Sequence, residues 1–345
     1  FSAILGLSIY IVLTKGTAGE ALSIVSLYAI SGYKLLPAAQ QIYKSLSQIR
    51  SNASVVQELK DEIDKSRAYT SRLRNLGSEP VEVGDLRFES VTFSYPDSAV
   101  PALKECSFYI RQNAVTAIVG PSGAGKSTAV DILLGLMLPD KGQVKIGSQL
   151  LSEKNIKAWR QKIGYVAQDI FMLDASIREN IAFGVPPENV DEQLLVKAAK
   201  LANIYEFIDG CEGRFNFRLG ERGGKLSGGQ RQRIGIARAL YRDPSILIFD
   251  EATSALDNVT ERNIMRDVLD LAETRTVVMI AHRLTTVKHA DNILVFAKGK
   301  VEAEGNYQEL AEQSPTFKHL IQGDLQRPQR TDQANQAETE LKFDE

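Results

Sequence analysis

The stretch Gly120–Thr128 reads GPSGAGKST and constrains the fold more than any other part of the chain. It follows the apolar run Ala114–Val119, which is typical of a buried parallel strand. It precedes Ala129–Met137, which is apolar on one face like a packed helix. A G-x-x-x-x-G-K-[ST] pattern between a strand and a helix predicts a phosphate-binding loop. We therefore expect a nucleotide site here.

The residue types of this loop suit phosphate chemistry. Glycines allow successive backbone N–H groups to converge on one anion, and the positive end of the following helix favours the same negative charge. Lys126 can reach the β- and γ-phosphates, Ser127 can offer its hydroxyl to Mg²⁺, and Thr128 can add a donor. The residues expected to hold the nucleotide at this loop are Gly120, Pro121, Ser122, Gly123, Ala124, Gly125, Lys126, Ser127 and Thr128.

A second apolar run, Ser245–Glu251, reads SILIFDE and ends on two acids. In proteins with a phosphate loop, an acid at the end of such a strand lies beside the loop and holds Mg²⁺. Asp250 suits that role. Glu251 would point toward the γ-phosphate and could polarise the attacking water.

Between these motifs, Leu226–Gln230 reads LSGGQ and leads into the helix-like run RQRIGIARAL. Ser227, Gly228 and Gly229 at a helix start form a second anion-binding device. The phosphate loop, LSGGQ and ILIFDEATSALD together closely resemble the ATP-binding cassette (ABC) proteins. The resemblance covers nearly all of Val81–Gln322.

This resemblance implies that two cassettes dimerise head to tail, each ATP lying between the phosphate loop of one and the LSGGQ of the other. The positions that match family site residues are Tyr95 (adenine stacking), Gln168 (Mg²⁺ and water), Ser227, Gly228, Gly229 and Gln230 (the partner's nucleotide), Asp257 (the loop between the sites) and His282 (γ-phosphate). Gly220–Gly223 resembles the segment by which exporter cassettes sense the membrane domain. Since every catalytic position matches, one chain type could build two competent sites, which favours a homodimer.

The fold class expected from the strand and helix patterns and from the family is an α/β phosphate-loop cassette. It combines a mixed sheet core, an antiparallel β subdomain and a helical subdomain. Leu86–Tyr95 and Cys106–Ile110 alternate like antiparallel strands, whereas Ser245–Phe249 and Thr276–Ile280 are short apolar runs typical of strands buried between helical layers.

The N-terminal region has a different character. Phe1–Leu13 and Ala21–Leu36 are apolar all round, as membrane helices are, and Lys15–Glu20 predicts a tight connection between them. Beyond Pro37 basic residues accumulate in an amphipathic pattern, which predicts the cytoplasmic side. Two core helices of a soluble domain are the alternative interpretation.

By resemblance to exporter half-transporters, residues 1–78 are the end of the fifth and the whole of the sixth membrane helix, with its cytoplasmic extension. Residues 79–322 are the nucleotide-binding domain, and 323–345 a polar, disordered tail. The earlier membrane helices, which are not in this sequence, would then be partners of this chain. The expected location is the inner cell membrane, multi-pass, with the cassette in the cytoplasm.

Charge argues against one class of partner. The chain has 41 lysines and arginines and 43 aspartates and glutamates, a net charge of −2, which gives no basic footprint for nucleic acid. The leading interpretation is an ATP-driven membrane transporter. A soluble cassette ATPase acting on DNA or ribosomes, and an ATP-gated channel or regulatory module, are the alternatives.

The substrate is addressed only by Gly32–Tyr43, which reads GYKLLPAAQQIY. This stretch resembles the corresponding helix of bacterial flippases for lipid-linked oligosaccharides and of polysaccharide exporters. Lys34 would be an intramembrane charge that faces the pathway or snorkels to the surface. The hypothesis is flipping of a lipid-linked glycan, with lipid, drug or peptide export as alternatives.

Overall fold

The computed structural model describes residues 6, 9–10, 14, 18–96, 98, 100–250, 258–281 and 287–325. The chain divides into two compact units, with the boundary between Asn75 and Leu76.

A single helix, α1 (Ala18–Asn75), forms nearly all of the described first unit. Its 58 residues correspond to a length of about 87 Å. The apolar run Ala21–Leu36 and the amphipathic stretch after Pro37 are therefore one continuous element. In the described part of the chain, no helix combines the length and apolar character that a membrane crossing requires.

The predicted connection Lys15–Glu20 is wrong for its second half, because residues 18–20 already belong to α1. Ala and Glu are strong helix formers, and together they outweigh the single glycine between them. Residues 15–17 lie outside the described residues, as does most of the apolar run before them.

The second unit contains two sheets. One has four antiparallel strands in the order β2-β1-β4-β5, and the other has six strands in the order β10-β9-β3-β8-β7-β6. The strands are β1 (Leu86–Phe93), β2 (Leu103–Ile110), β3 (Val115–Val119), β4 (Lys141–Ile146), β5 (Gln149–Leu150), β6 (Ile163–Val166), β7 (Ile246–Asp250), β8 (Thr276–Ile280), β9 (Asn292–Ala297) and β10 (Lys300–Gly305). All pairs of the larger sheet are parallel except β9 with β10, so the sheet is mixed, as predicted.

Nine α-helices of the second unit are described. They are α2 (Lys126–Leu133), α3 (Ile156–Gln161), α4 (Ile177–Ile181), α5 (Glu192–Leu201), α6 (Tyr205–Asp209), α7 (Gly228–Leu240), α8 (Asn258–Ala272), α9 (Tyr307–Gln313) and α10 (Pro315–Leu325). The tail predicted to be disordered from residue 323 begins inside α10, and residues 326–345 lie outside the described residues.

The six-stranded sheet separates two hydrophobic cores, because side chains alternate across a strand. Leu247 and Phe249 of β7 pack toward the helical layer that contains α5 and α7. Ile246 and Ile248 pack on the opposite face, with α2, α3 and the antiparallel sheet. On that face α2 buries Ile132 and Leu133, so this core holds the helix that follows the phosphate loop.

The segment 76–85 has no regular secondary structure. It nevertheless follows the surface of the second unit, since Gly77 N–H donates to Glu153 O (2.6 Å) and Glu79 N–H to Lys154 O (3.0 Å). A Cβ on Gly77 would stand 2.0 Å from Lys154 O, so this close approach requires glycine.

Trp159 of α3 fixes the end of α2. Its side chain is fully buried, and its Nε1–H donates to Leu133 O at 2.7 Å. We expect Trp159→Phe to lower the free energy of unfolding by about 2 kcal/mol or more, from a cavity and an unmade buried hydrogen bond. Urea unfolding followed by circular dichroism measures this effect.

The matched control is Gln161→Ala, an exposed position on the same helix, which should stay within about 0.5 kcal/mol of wild type. Equal stability of the Trp159→Phe variant and wild type would contradict the assigned role of the indole.

Candidate nucleotide-binding site

The loop 120–125 leaves the centre of the six-stranded sheet. Strand β3 pairs in parallel with β8 on one side and β9 on the other. The chain therefore emerges at the carboxyl edge between two buried neighbours and turns directly into α2. In open α/β sheets, this edge is where ligands bind.

Two glycines show why the loop has its shape. Gly125 has φ +99°, and a Cβ there would stand 2.8 Å from Ala102 O and 2.9 Å from a methyl carbon of Leu103. Gly123 also has a positive φ (+76°), but nothing lies within 4 Å of its added Cβ. The loop is thus packed on its inner side and open above Gly123, which leaves space for an anion at the start of α2.

Lys126 is buried, and its Nζ donates to Gly120 O (2.8 Å) and Pro121 O (3.0 Å). Its charge is therefore held within the loop by backbone carbonyls. Ser127 is exposed, whereas Thr128 is buried with its Oγ1 3.2 Å from the hydroxyl oxygen of Tyr95. The sequence-predicted adenine-stacking residue is thus adjacent to the phosphate loop.

Asp250 is placed level with the end of β3. In the sheet register Ile118 of β3 pairs with Ile280 of β8, and Ile280 pairs with Asp250 of β7. Two strand spacings separate Asp250 from β3, or about 10 Å. Asp250 also shares the face of Ile248, on which α2 packs. The carboxylate and the phosphate loop therefore belong to one edge and one face of the sheet.

Two further polar side chains surround Asp250. The Tyr165 hydroxyl donates to Asp250 Oδ2 at 3.0 Å. Burial raises the pKa of Tyr165, and the negative charge and hydrogen bond of Asp250 raise it further. Burial and then the charge of Asp250 also raise the pKa of Asp131, which lies one turn after Ser127 in α2. These shifts place Asp131, Tyr165 and Asp250 in one electrostatic cluster.

The chemistry of the donors fits a hard cation. Ser127 offers a hydroxyl oxygen, Asp250 a carboxylate, and Gln168 an amide oxygen in the segment just after β6, the strand beside β7. Oxygen ligands of this kind suit Mg²⁺ that also takes ligands from phosphates. No group of three or more His, Cys, Asp or Glu side chains that could hold a metal occurs in the described ranges.

The LSGGQ motif begins α7 with a reciprocal cap. Ser227 Oγ accepts from Gln230 N–H (3.2 Å), and Gln230 Oε1 accepts from Ser227 N–H (2.8 Å). Both polar side chains of the motif are thus used within their own helix, which sequence reasoning did not anticipate. The Ser227 hydroxyl keeps its own proton to donate. Among the described residues, no hydrogen bond joins this motif to the phosphate loop.

Arg238 links α7 to the segment that follows Gln168. Its guanidinium donates to Asn180 O (2.8 Å) and Phe171 O (2.9 Å) and lies 5.1 Å from the ring centre of Phe183. Burial lowers the pKa of Arg238. An arginine guanidinium stays protonated in proteins, so the side chain is a cation that holds these backbone groups together.

Three predicted site residues, Glu251, Asp257 and His282, lie outside the described residues. Conversely, Asp131, Tyr165 and Arg238 were missed by sequence reasoning. The one available signal was for Tyr165, since the alternation of side chains along β6 and β7 could have placed the phenol and the carboxylate on one face.

The comparisons with known proteins agree with this geometry. Residues 103–254 match the family model described as ABC transporter. The leukotoxin translocation ATP-binding protein LktB of Mannheimia haemolytica is 44% identical over 254 residues, covering 73% of this chain and 35% of the relative. LktB of Bibersteinia trehalosi matches with the same identity and coverage. The chain therefore spans about a third of the length of these curated relatives.

A solved structure of a bacterial Atm1-family ABC exporter with ATP bound is also similar. Its TM-score is 0.67 at 31% identity, over 93% of this chain and 55% of the solved one. The likeness confirms the predicted fold class. The second unit accordingly contains the ATP-binding cassette of ABC transporters, the ATPase domain that the family model matches over residues 103–254.

Proposed function

We propose that this chain is the ATP-hydrolysing motor of an ABC exporter that couples ATP binding and hydrolysis to translocation of a substrate across a membrane. The observation that carries the proposal is the shared sheet edge, where the phosphate loop and Asp250 stand on one face of the same sheet. The similarity of the chain to an exporter and to a translocation protein supports export as the direction of transport.

The side chains divide the chemistry among them. Lys126 would exchange its two carbonyl partners for the β- and γ-phosphates, while Thr128 and the first amides of α2 bind the same anion. Ser127, Asp250 and Gln168 would hold Mg²⁺, which supplies charge neutralisation at the phosphates. Glu251, which follows β7 directly, would accept the proton of the attacking water, and His282 would bind the γ-phosphate.

A second cassette would complete each site. The start of α7 presents Ser227, Gly228 and Gly229 without an acidic residue in the first turn, as an anion-binding helix end requires. These groups, with Gln230 and Asp257, would face the ATP of the partner. Since both halves of the site are present in one sequence, a homodimer is proposed.

The membrane assignment rests on the similarity to exporters and on the apolar sequence runs of the N-terminal region. The proposed partners are the preceding transmembrane helices, membrane lipid and the substrate, with the cassette in the cytoplasm and the protein in the inner membrane. A carbonate wash of membranes containing the full-length protein tests this location. Release into the supernatant would favour a soluble cassette ATPase instead.

Glu251→Gln should slow ATP hydrolysis by about a hundredfold or more while ATP binding stays nearly unchanged, because the amide cannot accept a proton. Steady-state phosphate release and equilibrium binding of a fluorescent ATP analogue measure the two effects.

Lys126→Ala serves as the contrasting variant. It should weaken ATP binding itself by about tenfold or more, because it removes a charge partner of the phosphates. Lys154→Ala, at an exposed lysine, should change neither property. Wild-type turnover in Glu251→Gln would show that another group is the base.

Ser227→Arg should block hydrolysis by placing a bulky side chain between the cassettes, although the phosphate loop of that subunit is intact. Mixed with Lys126→Ala chains, it should form dimers with one site carrying both lesions and one carrying neither. We expect such mixed dimers, isolated with two affinity tags, to recover about half of the wild-type ATPase rate.

Loss of the Ser227 cap costs about 1 kcal/mol of helix stability, so the thermal midpoint of each variant is measured alongside. Mixed dimers no more active than either mutant homodimer would contradict sites shared between subunits.

For the substrate we propose a lipid-linked glycan, on the basis of Lys34. This residue lies exposed on α1 within the stretch that resembles flippases, and its ammonium group could meet a pyrophosphate headgroup. The relatives named for leukotoxin translocation instead favour a polypeptide, so peptide, lipid and drug remain the competing substrates.

Reconstituted full-length protein should move a polyprenyl-pyrophosphate glycan between leaflets in an ATP-dependent manner, and this lipid should stimulate its ATPase activity. Lys34→Gln should reduce both effects several-fold, whereas Lys44→Gln, on the same helix, should not. Transport of a peptide or drug without movement of the glycolipid would contradict this substrate.

A further inference from the structure

We propose that Tyr165 is a positioning residue of the nucleotide site, whose hydroxyl holds the carboxylate of Asp250 in the orientation that receives the magnesium ion of Mg-ATP. The proposal rests on the proposed function, because it concerns the same site. Its central observation is the hydrogen bond from Tyr165 Oη to Asp250 Oδ2, 3.0 Å long.

The sheet register explains how these side chains meet. Tyr165 pairs with Ile248 in the parallel ladder between β6 and β7. Asp250 lies two residues further along β7, so its side chain is on the same face as Ile248, about 6.6 Å along the strand. The long phenol ring bridges this rise and one strand spacing. A shorter hydroxyl side chain at position 165 would not reach the carboxylate.

The hydrogen bond makes the two carboxylate oxygens of Asp250 inequivalent. Oδ2 accepts from Tyr165, and within the described residues no hydrogen bond involves Oδ1. A carboxylate held by one oxygen loses rotational freedom about its terminal torsion, so the other oxygen is presented in a fixed direction. Holding a ligand in place before the ion arrives is the general task of groups around a metal site.

A second carboxylate, that of Asp131, interacts electrostatically with Asp250. The Asp131 carboxylate, one turn after Ser127 in α2, is near enough for the two charges to interact. Two carboxylates without a cation repel each other. The Tyr165 hydroxyl donates to one oxygen of Asp250 and so sets the orientation of this carboxylate.

Tyr165→Phe, made in the full-length protein, removes only the hydroxyl. The expected result is a roughly three- to tenfold weaker apparent affinity for Mg²⁺ in the presence of ATP, as one hydrogen bond to a charged group is lost. ATP affinity in excess EDTA should remain within twofold of wild type. Both are measured by equilibrium titration with a fluorescent ATP analogue, and Mn²⁺ paramagnetic resonance reports the bound ion directly.

The matched control is Tyr109→Phe in β2. This change removes a hydrogen bond between another tyrosine hydroxyl and a carboxylate, that of Asp85, in the antiparallel sheet. It should alter neither the Mg²⁺ affinity nor the metal-free ATP affinity. In an Asp250→Asn background, Tyr165→Phe should have no further effect on Mg²⁺ affinity, since the carboxylate that it positions is gone.

An Mg²⁺ affinity equal to wild type in Tyr165→Phe, with ATP still bound, would overturn the inference and leave the proposed function intact. An equal loss of ATP affinity with and without Mg²⁺ would also overturn it, because the hydroxyl would then be supporting the fold. Absence of ATP binding in the wild-type protein would overturn the proposed function and this inference together.

Discussion

Strand β3 has a parallel partner on both sides, and this burial fixes the phosphate loop. Four of its five residues are apolar, and all five, including Thr116, are buried. At its end the chain has to leave the sheet over Phe296 of β9 and Ala102, whose carbonyls stand where side chains of Gly120 and Gly125 would be. The loop, the start of α2 and the position of Lys126 all follow from that exit.

The two hydrophobic cores have different tasks at the site. The core that contains Ile246, Ile248, α2 and Trp159 holds the carboxyl end of β7 against the helix that follows the loop. The core that contains Leu247 and Phe249 supports the helical layer with α7, and hence the LSGGQ motif. Because β7, like β3, β8 and β9, contributes alternate residues to both cores, these strands together hold the phosphate loop and the helical layer in one geometry.

Much of this arrangement follows from sequence patterns. The strands around the loop were predicted, because short apolar runs bounded by turn residues are characteristic, and the motifs gave the family. The bond between Tyr165 and Asp250 was not, since it depends on pairing between residues 85 positions apart. The cap formed by Ser227 and Gln230 was not predicted, because the same hydroxyl and amide groups also suit contacts with a partner's nucleotide. The start of α1 at residue 18 was not predicted, because glycine is a weak helix former and its helix-forming neighbours outweigh it here.

The contacts of Arg238 give the cassette a mechanical property. Its guanidinium donates from α7 to the backbone of Phe171 and Asn180 and lies over the ring of Phe183, so a rotation of one of these segments alone would break the contacts. This linkage therefore opposes separate movement of α7 and the segment that leaves β6.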